Sequence, residues 1–238
     1  MPSHVRLATR ADLPAIAATL AEAFVDDPVK RHLTGVAHVP PSRSIPFFDA
    51  FTRIQMPKGH VYVAEVDGVV RGAALWSPPG QWRVPTGAIL RWGPRFVRMY
   101  GRRFPANLNV LKTVEKNHPH EPHYYLEFLG VHPAAQGQGL GKLLVDEMIA
   151  VGDREGVPLY LENSKEKNLA FYGRHGFVPR DPMHLPGVDG PPVWPMWRDA
   201  REVARLRGHE AGCTGAPYRA CCAALPPAPG AEMPLCAG

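Results

Sequence analysis

The feature that most constrains this chain is a glycine-rich turn between an apolar strand pattern and an amphipathic helix pattern. Residues 136–142 read QGQGLGK, the apolar stretch 124–131 precedes them, and the helical pattern 140–151 overlaps their end. Alternate glycines leave the backbone amides of such a turn uncovered, and a helix that begins there directs unpaired N–H groups and its positive dipole end to the same point. The sequence therefore predicts an anion-binding loop suited to a diphosphate.

The spacing of the glycines separates this turn from two other phosphate-binding loops. A dinucleotide fingerprint requires G-x-G-x-x-G, and counting from either Gly137 or Gly139 the last position is not glycine. A Walker loop requires G-x-x-x-x-G-K-[ST], but Gln136 stands where its first glycine belongs and Leu143 where its Ser or Thr belongs. The pattern that fits is Q-x-x-G-x-G.

A second box, NLAFYGRHGF at residues 168–177, lies C-terminal to the turn. Q-x-x-G-x-G followed by N-x-x-x-Y and G-F resembles the acetyl-CoA pyrophosphate loop and a later segment of the GNAT superfamily of N-acetyltransferases. Within that superfamily, residues 20–28 (LAEAFVDDP) and 161–172 (LENSKEKNLAFY) are most similar to the puromycin N-acetyltransferase type. The resemblance covers residues 3–200.

The resemblance implies an α/β (α+β) architecture, the GNAT acyl-CoA N-acyltransferase fold. That fold has a mixed, mostly antiparallel central sheet flanked by helices, with strands that splay apart at the cofactor site. The implied activity is transfer of acetyl from acetyl-CoA, a co-substrate, to a primary amine of a small molecule. We expect one GNAT domain over residues 1–205, with an Arg-rich helical insertion at 81–122.

Hydrophobic periodicity predicts elements in the order that this fold requires. The predicted strands cover residues 5–8, 60–66, 69–76, 123–131, 157–162, 177–180 and 193–197. The predicted helices cover residues 13–24, 45–56, 91–102, 140–154 and 166–175. Residues 36–45 are predicted to form a loop. Residues 206–238 are predicted to be a disordered tail, because their Gly/Ala/Pro/Cys-rich sequence shows almost no periodicity.

Composition excludes several classes of protein. The chain has 238 residues and is 45% hydrophobic, which is enough for a full core. It contains no apolar run near 18 residues, so no membrane partner is expected. The N-terminus lacks the apolar segment of a signal peptide, so a cytoplasmic location is expected. The four cysteines begin at Cys213 and have no C-x-x-C spacing, so neither a metal site nor a disulfide framework is expected.

The insertion at 81–122 is strongly basic. No acidic residue occurs over 69–114. Four arginines recur at helical spacing: Arg91, Arg95, Arg98 and Arg102. They form either a solvated face of an amphipathic helix or a basic wall beside the cofactor or an acidic partner. The net charge of +5 suits an anionic cofactor and does not by itself call for nucleic acid, so no nucleic-acid partner is expected.

Three segments are expected to bind the cofactor. The amides of the turn bind the pyrophosphate, and the Gln136 side chain adds a donor. The resemblance implies a bulge in the strand before the turn, for which Gly130 is well placed. The bulge would open the strand edge, so that main-chain groups of Leu129 and Val131 can pair with the pantetheine arm and the acetyl oxygen. The resemblance places the face shared by Asn168 and Tyr172 at the thiol end. The predicted cofactor-binding set is Leu129, Val131, Gln136, Gly137, Gln138, Gly139, Leu140, Gly141, Lys142, Asn168 and Tyr172.

Proton transfer is assigned to a tyrosine and two glutamates. Tyr172 is expected to be the general acid, since a phenol can give a proton to a departing thiolate; the alternative is a tyrosine that only packs. Glu127 or Glu162 is expected to be the base, because a carboxylate among apolar residues on strands flanking the splay has a raised pKa. Either glutamate could instead pair with an arginine or with backbone.

The remaining patterns leave the acceptor open. No Ser/His/Asp or Cys/His nucleophile arrangement is apparent, so direct attack in a ternary complex is favoured over an acetyl-enzyme. Prolines interrupt the cluster of His118, His120 and His123, which therefore predicts a turn before a strand rather than a metal site. Alternative functions are acetylation of a protein N-terminus or lysine, and acyl-CoA binding without catalysis. The oligomeric state is also left open.

Overall fold

A computed structural model describes residues 3–187 and 189–201, and it contains eight strands and seven helices over those ranges. The strands are β1 (Ser3–Leu7), β2 (Val61–Val66), β3 (Val69–Ser77), β4 (Tyr124–Val131), β5 (Leu159–Asn163), β6 (Val178–Pro179), β7 (Met183–His184) and β8 (Pro192–Arg198). The helices are α1 (Leu13–Ala23), α2 (Pro28–Thr34), α3 (Pro41–Gln55), α4 (Thr86–Tyr100), α5 (Phe104–Asn117), α6 (Leu140–Glu155) and α7 (Leu169–Arg174). The predicted tail at 206–238, with all four cysteines, lies outside the described residues.

The strands follow the order β1-β2-β3-β4-β5-β8-β6, and β7 also pairs with β8. Among the described strands, only β4 and β5 pair in parallel, because α6 carries the chain back across the sheet between them. The last strand, β8, lies between β5 and β6. The sheet is therefore mixed and mostly antiparallel, as predicted.

Each face of the sheet is covered by different helices. Along β2 the side chains alternate: Val61 and Val63 belong to the core cluster under α1 and α3, and Tyr62 and Ala64 belong to the cluster under α6. Because helices cover both faces of the sheet, the place for a cleft is the point within the sheet where two neighbouring strands separate.

Within the described residues, no helix combines the length and apolar content needed to cross a bilayer.

β4 and β5 separate soon after they meet. Their pairing ends at Leu126 with Leu161, beyond which β4 continues beside β3 and β5 continues beside β8. This confirms the predicted splay and places its vertex at the Leu126–Leu161 pair.

The bulge that bends β4 lies at Glu127, and the expectation that it lies at Gly130 is wrong. Leu75 pairs with Phe128 and Trp76 pairs with Leu126, which makes Glu127 the extra residue. Gly130 keeps its register in the ladder. A Cβ at Gly130 would lie 2.8 Å from Leu20 Cδ2 and 2.9 Å from a methyl group of α1, so packing between β4 and α1 requires this glycine.

Three helical expectations need correction. After α1 the chain forms the additional helix α2, where the Asp27 carboxylate accepts a hydrogen bond from Lys30 N at 2.8 Å. Helix α3 begins at Pro41 rather than at residue 45, because the first helical turn accommodates proline. The insertion holds two helices, α4 and α5, separated at Gly101, whose φ of 57° and ψ of −135° are strained for any other residue.

Candidate active site

The glycine-rich turn connects β4 to α6. Gly137 and Gly139 have φ values of 79° and 81°, which glycine adopts without strain, and Gly139 caps the helix. A Cβ at either residue would meet nothing within 4 Å, so the turn faces open space. The first hydrogen bond of α6 runs from Leu143 N to Gly139 O, which leaves the N–H groups of residues 140–142 ahead of the helical ladder.

The charge available to an anion at this turn comes from the backbone. The Lys142 ammonium is paired with Asp146 on the same helix, and the first turn of α6 contains no acidic residue. Free amides and the helix dipole favour a negatively charged group at this position. The turn therefore fits a diphosphate, as its spacing predicts.

Beyond the vertex, β4 presents main-chain groups to the opening. His132 N donates to Arg71 O at 2.8 Å, and hydrogen-bonded positions alternate along an antiparallel ladder. From the register of β4 on β3, Leu129 and Val131 therefore direct their N–H and C=O groups away from β3. Gln136 Nε2 donates to Val131 O at 3.2 Å, so this side chain braces the turn against the strand.

Two carboxylates lie at the vertex of the splay. Glu127 and Glu162 directly follow the last residue pair between β4 and β5. Both line a cleft that opens between the strands. The cleft is lined by Ala23, Phe24, Asp27, Leu126, Glu127, Phe128, Leu129, Leu161, Glu162, Asn163, Ser164, Lys165, Asn168 and Tyr172. The structure thus brings both predicted glutamates and the Asn168–Tyr172 pair to one cavity.

Glu127 is a half-buried carboxylate that two neighbouring side chains hold in place. Its Oε1 accepts hydrogen bonds from Gln55 Nε2 at 2.9 Å and from Ser77 Oγ at 2.8 Å. The pKa of Glu127 is raised to about 7, mainly by burial and to a smaller degree by the charge of Glu162. Together these effects outweigh the opposing hydrogen bonds and the nearby Lys58 ammonium. A carboxylate that titrates near neutral pH is suited to general base catalysis.

Glu162 is held by two phenols. Tyr125 Oη donates to its Oε2 at 3.1 Å, and Tyr160 Oη donates to its Oε1 at 3.0 Å. Burial, followed by the charge of Glu162, raises the pKa of Tyr125, so this phenol keeps its proton and remains a donor. These bonds fix the position of the Glu162 carboxylate.

Tyr172 lies on α7, on another wall of the cleft. Burial raises the pKa of its hydroxyl, which therefore carries a proton at neutral pH. Its ring packs on Phe171 and Phe177, with centroid distances of 5.1 and 5.9 Å. Asn168 ends a short 3-10 turn just before α7, so the helix predicted over 166–175 is two helical segments. Both Asn168 and Tyr172 still line the same cleft.

The remaining walls of the cleft are tied together by polar contacts and closed by aromatic rings. Ser164 Oγ donates to Asp27 Oδ2, and Lys165 Nζ pairs with Asp26 at 2.6 Å, so the segment between α1 and α2 is fixed against the residues that follow β5. Phe128 packs against a cluster of phenylalanine rings. Their centroids lie 5.6 Å (Phe24), 6.0 Å (Phe47), 5.3 Å (Phe48) and 4.9 Å (Phe51) from that of Phe128.

The histidine cluster forms a buried pair that the sequence analysis missed. His118 and His123 are 3% and 4% exposed, and their Nε2 atoms lie 3.1 Å apart, whereas His120 is exposed. His118 Nδ1 lies 3.8 Å from Glu162 Oε1. Within residues 3–187 and 189–201, no three His, Cys, Asp or Glu side chains are grouped to hold a metal ion. In the sequence, the signal for this histidine pair is the presence of three histidines within residues 118–123.

Comparison with known proteins establishes the family. The profile of the Acetyltransferase (GNAT) family matches residues 29–177. The chain belongs to the GNAT acetyltransferase family. It is therefore an acetyl-CoA-dependent acetyltransferase, and the fold predicted from the sequence is confirmed.

Individual proteins resemble this GNAT acetyltransferase over most of its length. An N-acetyltransferase of Schizosaccharomyces pombe, described as uncharacterised, is 29% identical over 185 residues, which are 73% of this chain and 74% of that protein. A structure from Corynebacterium glutamicum, described as histone acetyltransferase HPA2 and related acetyltransferase, has a TM-score of 0.60 and 28% identity, covering 84% of this chain and 98% of that one.

A second similar structure contains the cofactor. The yncA protein of Salmonella typhimurium, solved with its cofactor acetyl-CoA, has a TM-score of 0.51 and 21% identity, covering 86% of this chain and 97% of that one. At this identity the likeness is one of fold. The three comparisons identify the superfamily and not a subgroup within it.

Proposed function

We propose that this GNAT acetyltransferase transfers acetyl from acetyl-CoA to a primary amine of a small molecule, by direct attack in a ternary complex. The observation that carries the proposal is the pair of carboxylates, Glu127 and Glu162, at the vertex of a cleft that Tyr172 also lines. Two carboxylates attract an alkylammonium, and one of them titrates near neutral pH. The domain proposed to carry this site spans residues 1–205.

The turn and the open strand edge supply the residues that would hold acetyl-CoA. The amides of residues 137–142 bind the pyrophosphate, and Asn168 contributes to the wall at the thiol end. The main-chain groups of Leu129 and Val131 pair with the pantetheine arm and the acetyl oxygen. Amides aimed at a developing oxyanion contribute on the order of 3 kcal/mol per donor. When bound, acetyl-CoA supplies the thioester carbonyl and a thiolate leaving group.

Glu127 accepts the proton that the acceptor ammonium must lose. As the C–N bond forms and the C–S bond breaks, Tyr172 donates its phenolic proton to the sulfur. Tyr172 then recovers a proton from the newly acylated nitrogen, and Glu127 releases its proton to solvent. The balance is one amide, one thiol and one proton from one ammonium and one thioester.

The walls of the cleft favour a cationic amine with an apolar body. Phe24 and Phe128 present aromatic rings beside the carboxylates, and aromatic faces attract alkylammonium groups. The segments 20–28 and 161–172, which resemble the puromycin N-acetyltransferase type, both contribute to the lining of this cleft. We therefore extend the proposal to acceptors of the puromycin type.

A panel of amines tests the proposal. Polyamines, arylalkylamines, puromycin and short peptides with a free N-terminus or lysine are incubated with acetyl-CoA, and products are identified by thiol release and mass spectrometry. We expect a small amine to be acetylated. Acetylation of peptides alone would overturn the small-molecule assignment. Calorimetric binding of acetyl-CoA with no acetylation of any amine would indicate an acyl-CoA-binding module.

A further inference from the structure

The buried pair of His118 and His123 has a hydrogen-bond pattern that fixes where its protons lie. His123 Nδ1 lies 2.6 Å from Glu121 O, and a carbonyl oxygen only accepts, so His123 Nδ1 carries a proton. The two Nε2 atoms, 3.1 Å apart, share a second proton. Because burial lowers the pKa of His123, this ring is the neutral one and its Nε2 is the acceptor. His118 Nε2 therefore donates.

The arrangement leaves one ring nitrogen of the pair without a proton or a partner, His118 Nδ1. This atom is buried and has no hydrogen-bond partner among the described residues. It faces Glu162 Oε1 at 3.8 Å. A neutral His118 therefore presents a lone pair to a carboxylate, and a protonated His118 forms a buried ion pair with it.

The other neighbours of His118 do not compete for this proton. The side chains that face the His118 ring are aromatic rings and one carboxylate. They are Trp82 in the loop after β3 (stacked, with ring centroids 3.9 Å apart), His123 in the loop before β4, Tyr125 on β4, and Tyr160 and Glu162 on β5. Both phenols already donate to Glu162. Burial is the main cause that raises the pKa of Tyr125 and of Tyr160, so they remain neutral. Within residues 3–187 and 189–201, Glu162 is thus the one carboxylate in contact with His118.

We propose that His118 is a positioning residue whose proton competes with the acceptor ammonium for the Glu162 carboxylate. When His118 is neutral, the uncompensated charge of Glu162 binds the cationic amine beside Glu127. When His118 Nδ1 is protonated, the imidazolium compensates Glu162 and the amine binds less tightly. The inference rests on the proposed function, since it assigns the ammonium of the acceptor to this vertex.

Competition of this kind is reciprocal. If protonation of His118 weakens binding of the amine, bound amine must weaken protonation of His118 by the same factor. His118 therefore changes the affinity for the acceptor. It takes no part in the proton transfers assigned to Glu127 and Tyr172.

Histidine ring NMR tests the proton arrangement without any turnover. Long-range ¹H–¹⁵N spectra of the full chain are recorded between about pH 5 and 8, first for the wild type and then for Glu162→Gln. We expect a His118 tautomer with its proton on Nε2 at high pH, and a titration midpoint that moves to lower pH in the variant. A His118 with its proton on Nδ1 throughout, or a midpoint unchanged by Glu162→Gln, would overturn the proposal.

Amine binding tests the competition. The affinity of an acceptor found in the amine panel is measured by calorimetry, with CoA present, at pH values above and below the His118 midpoint. In the wild type we expect up to about tenfold weaker binding per pH unit below that midpoint, the limit for one linked proton. The comparison is made in the Glu127→Gln background, because protonation of Glu127 also weakens binding of a cation. There His118→Asn removes the dependence, and the exposed neighbour variant His120→Asn retains it.

Two results separate failure of this inference from failure of the proposed function. If no amine is acetylated, the proposed function fails, whereas the tautomer and midpoint still report on the His118–Glu162 contact. If an amine is acetylated and His118→Asn leaves the pH dependence of its binding unchanged, the inference is wrong and the function stands. If His118→Asn does not fold, the His118 midpoint of the wild type is compared with and without amine. A midpoint that amine moves to lower pH supports the inference, and an unchanged midpoint overturns it.

Discussion

The two ends of the cleft are built in different ways. The glycine-rich turn at residues 136–142 is continuous in sequence and offers backbone amides, whose position follows from two αL glycines and the start of α6. The acidic vertex is assembled from side chains of separate elements: Gln55 and Ser77 lie 72 and 50 residues from their common partner Glu127.

The difference shows how each kind of site obtains its chemistry. A backbone cradle needs only a local conformation, so a short motif specifies it. A carboxylate with a shifted pKa needs removal of water and chosen neighbours, which only packing of distant segments provides. We therefore expect mutations at the vertex to change proton transfer and its pH dependence, and mutations in the turn to change cofactor affinity.

The largest effect is expected from Tyr172→Phe. The variant keeps the ring and its packing but loses the proton donor, so kcat should fall about 10²- to 10³-fold. Tyr100→Phe is the matched control, because burial also raises the pKa of Tyr100 but this residue packs on Phe47, away from the lining of the cleft. Thiol release at saturating substrates, with circular dichroism for folding, measures both. Equal rates for Tyr172→Phe and the wild type would remove the acid assignment.

Glu127→Gln should lower kcat/KM about 100-fold and abolish one limb of the pH profile. The base is active when deprotonated, and its pKa is about 7, so wild-type kcat/KM should rise with pH up to about 7 and then level off. Initial rates across this range, at limiting amine, measure the limb. They are recorded in the His118→Asn background, so that amine binding linked to His118 does not contribute to the profile. In Glu162→Gln the limb should persist while the KM for the amine rises. A limb retained in Glu127→Gln would show that another group is the base.

The same carboxylate should link stability to pH. Burial raises the folded-state pKa of Glu127 from an ordinary 4.5 to about 7, so its contribution to stability is present below pH 4.5 and is lost as pH rises through 7. Each pH unit in that window costs about 1.4 kcal/mol. Urea denaturation should therefore show that Glu127→Gln gains about 2.5 kcal/mol relative to the wild type between pH 5 and 8. A constant difference between the two proteins would contradict the shifted pKa.

The smallest effect is expected from Gly139→Ala, in the turn. The two ends of α6 provide a matched pair, since Gly139 (φ 81°) and Gly156 (φ 69°) are both left-handed caps facing open space. Either alanine should cost about 1 kcal/mol of stability. Only Gly139→Ala should also raise the KM for acetyl-CoA, by about tenfold, because a weakened charge-assisted hydrogen bond costs at least 1.4 kcal/mol. Equal KM values for the two variants would show that the turn does not bind the phosphates of acetyl-CoA.

The parts of the fold that the sequence predicted are those with local signals. The alternation in β2 and the Asp67-Gly68 turn predicted the β2–β3 hairpin, and the positions of Glu127 and Glu162 on strands flanking the splay were also predicted. Helix α2 and the break at Gly101 were not predicted, because short helices and proline-rich turns carry weak periodicity. The bulge was assigned to Gly130 because glycine is common in bulges, whereas contact with Leu20 is what requires glycine there.

The sequence by itself determined the glycine-rich turn, the family and the residues of the two strands that flank the cleft, because each depends on spacing within one or two elements. Only the tertiary structure decided how protons are held at the vertex. Burial beside Gln55 and Ser77 raises the pKa of Glu127, and the contact of His118 with Glu162 joins a loop to a strand on the far side of α6 in the chain. Desolvation and charge pairing depend on distances in space, and separation along the sequence does not reveal them.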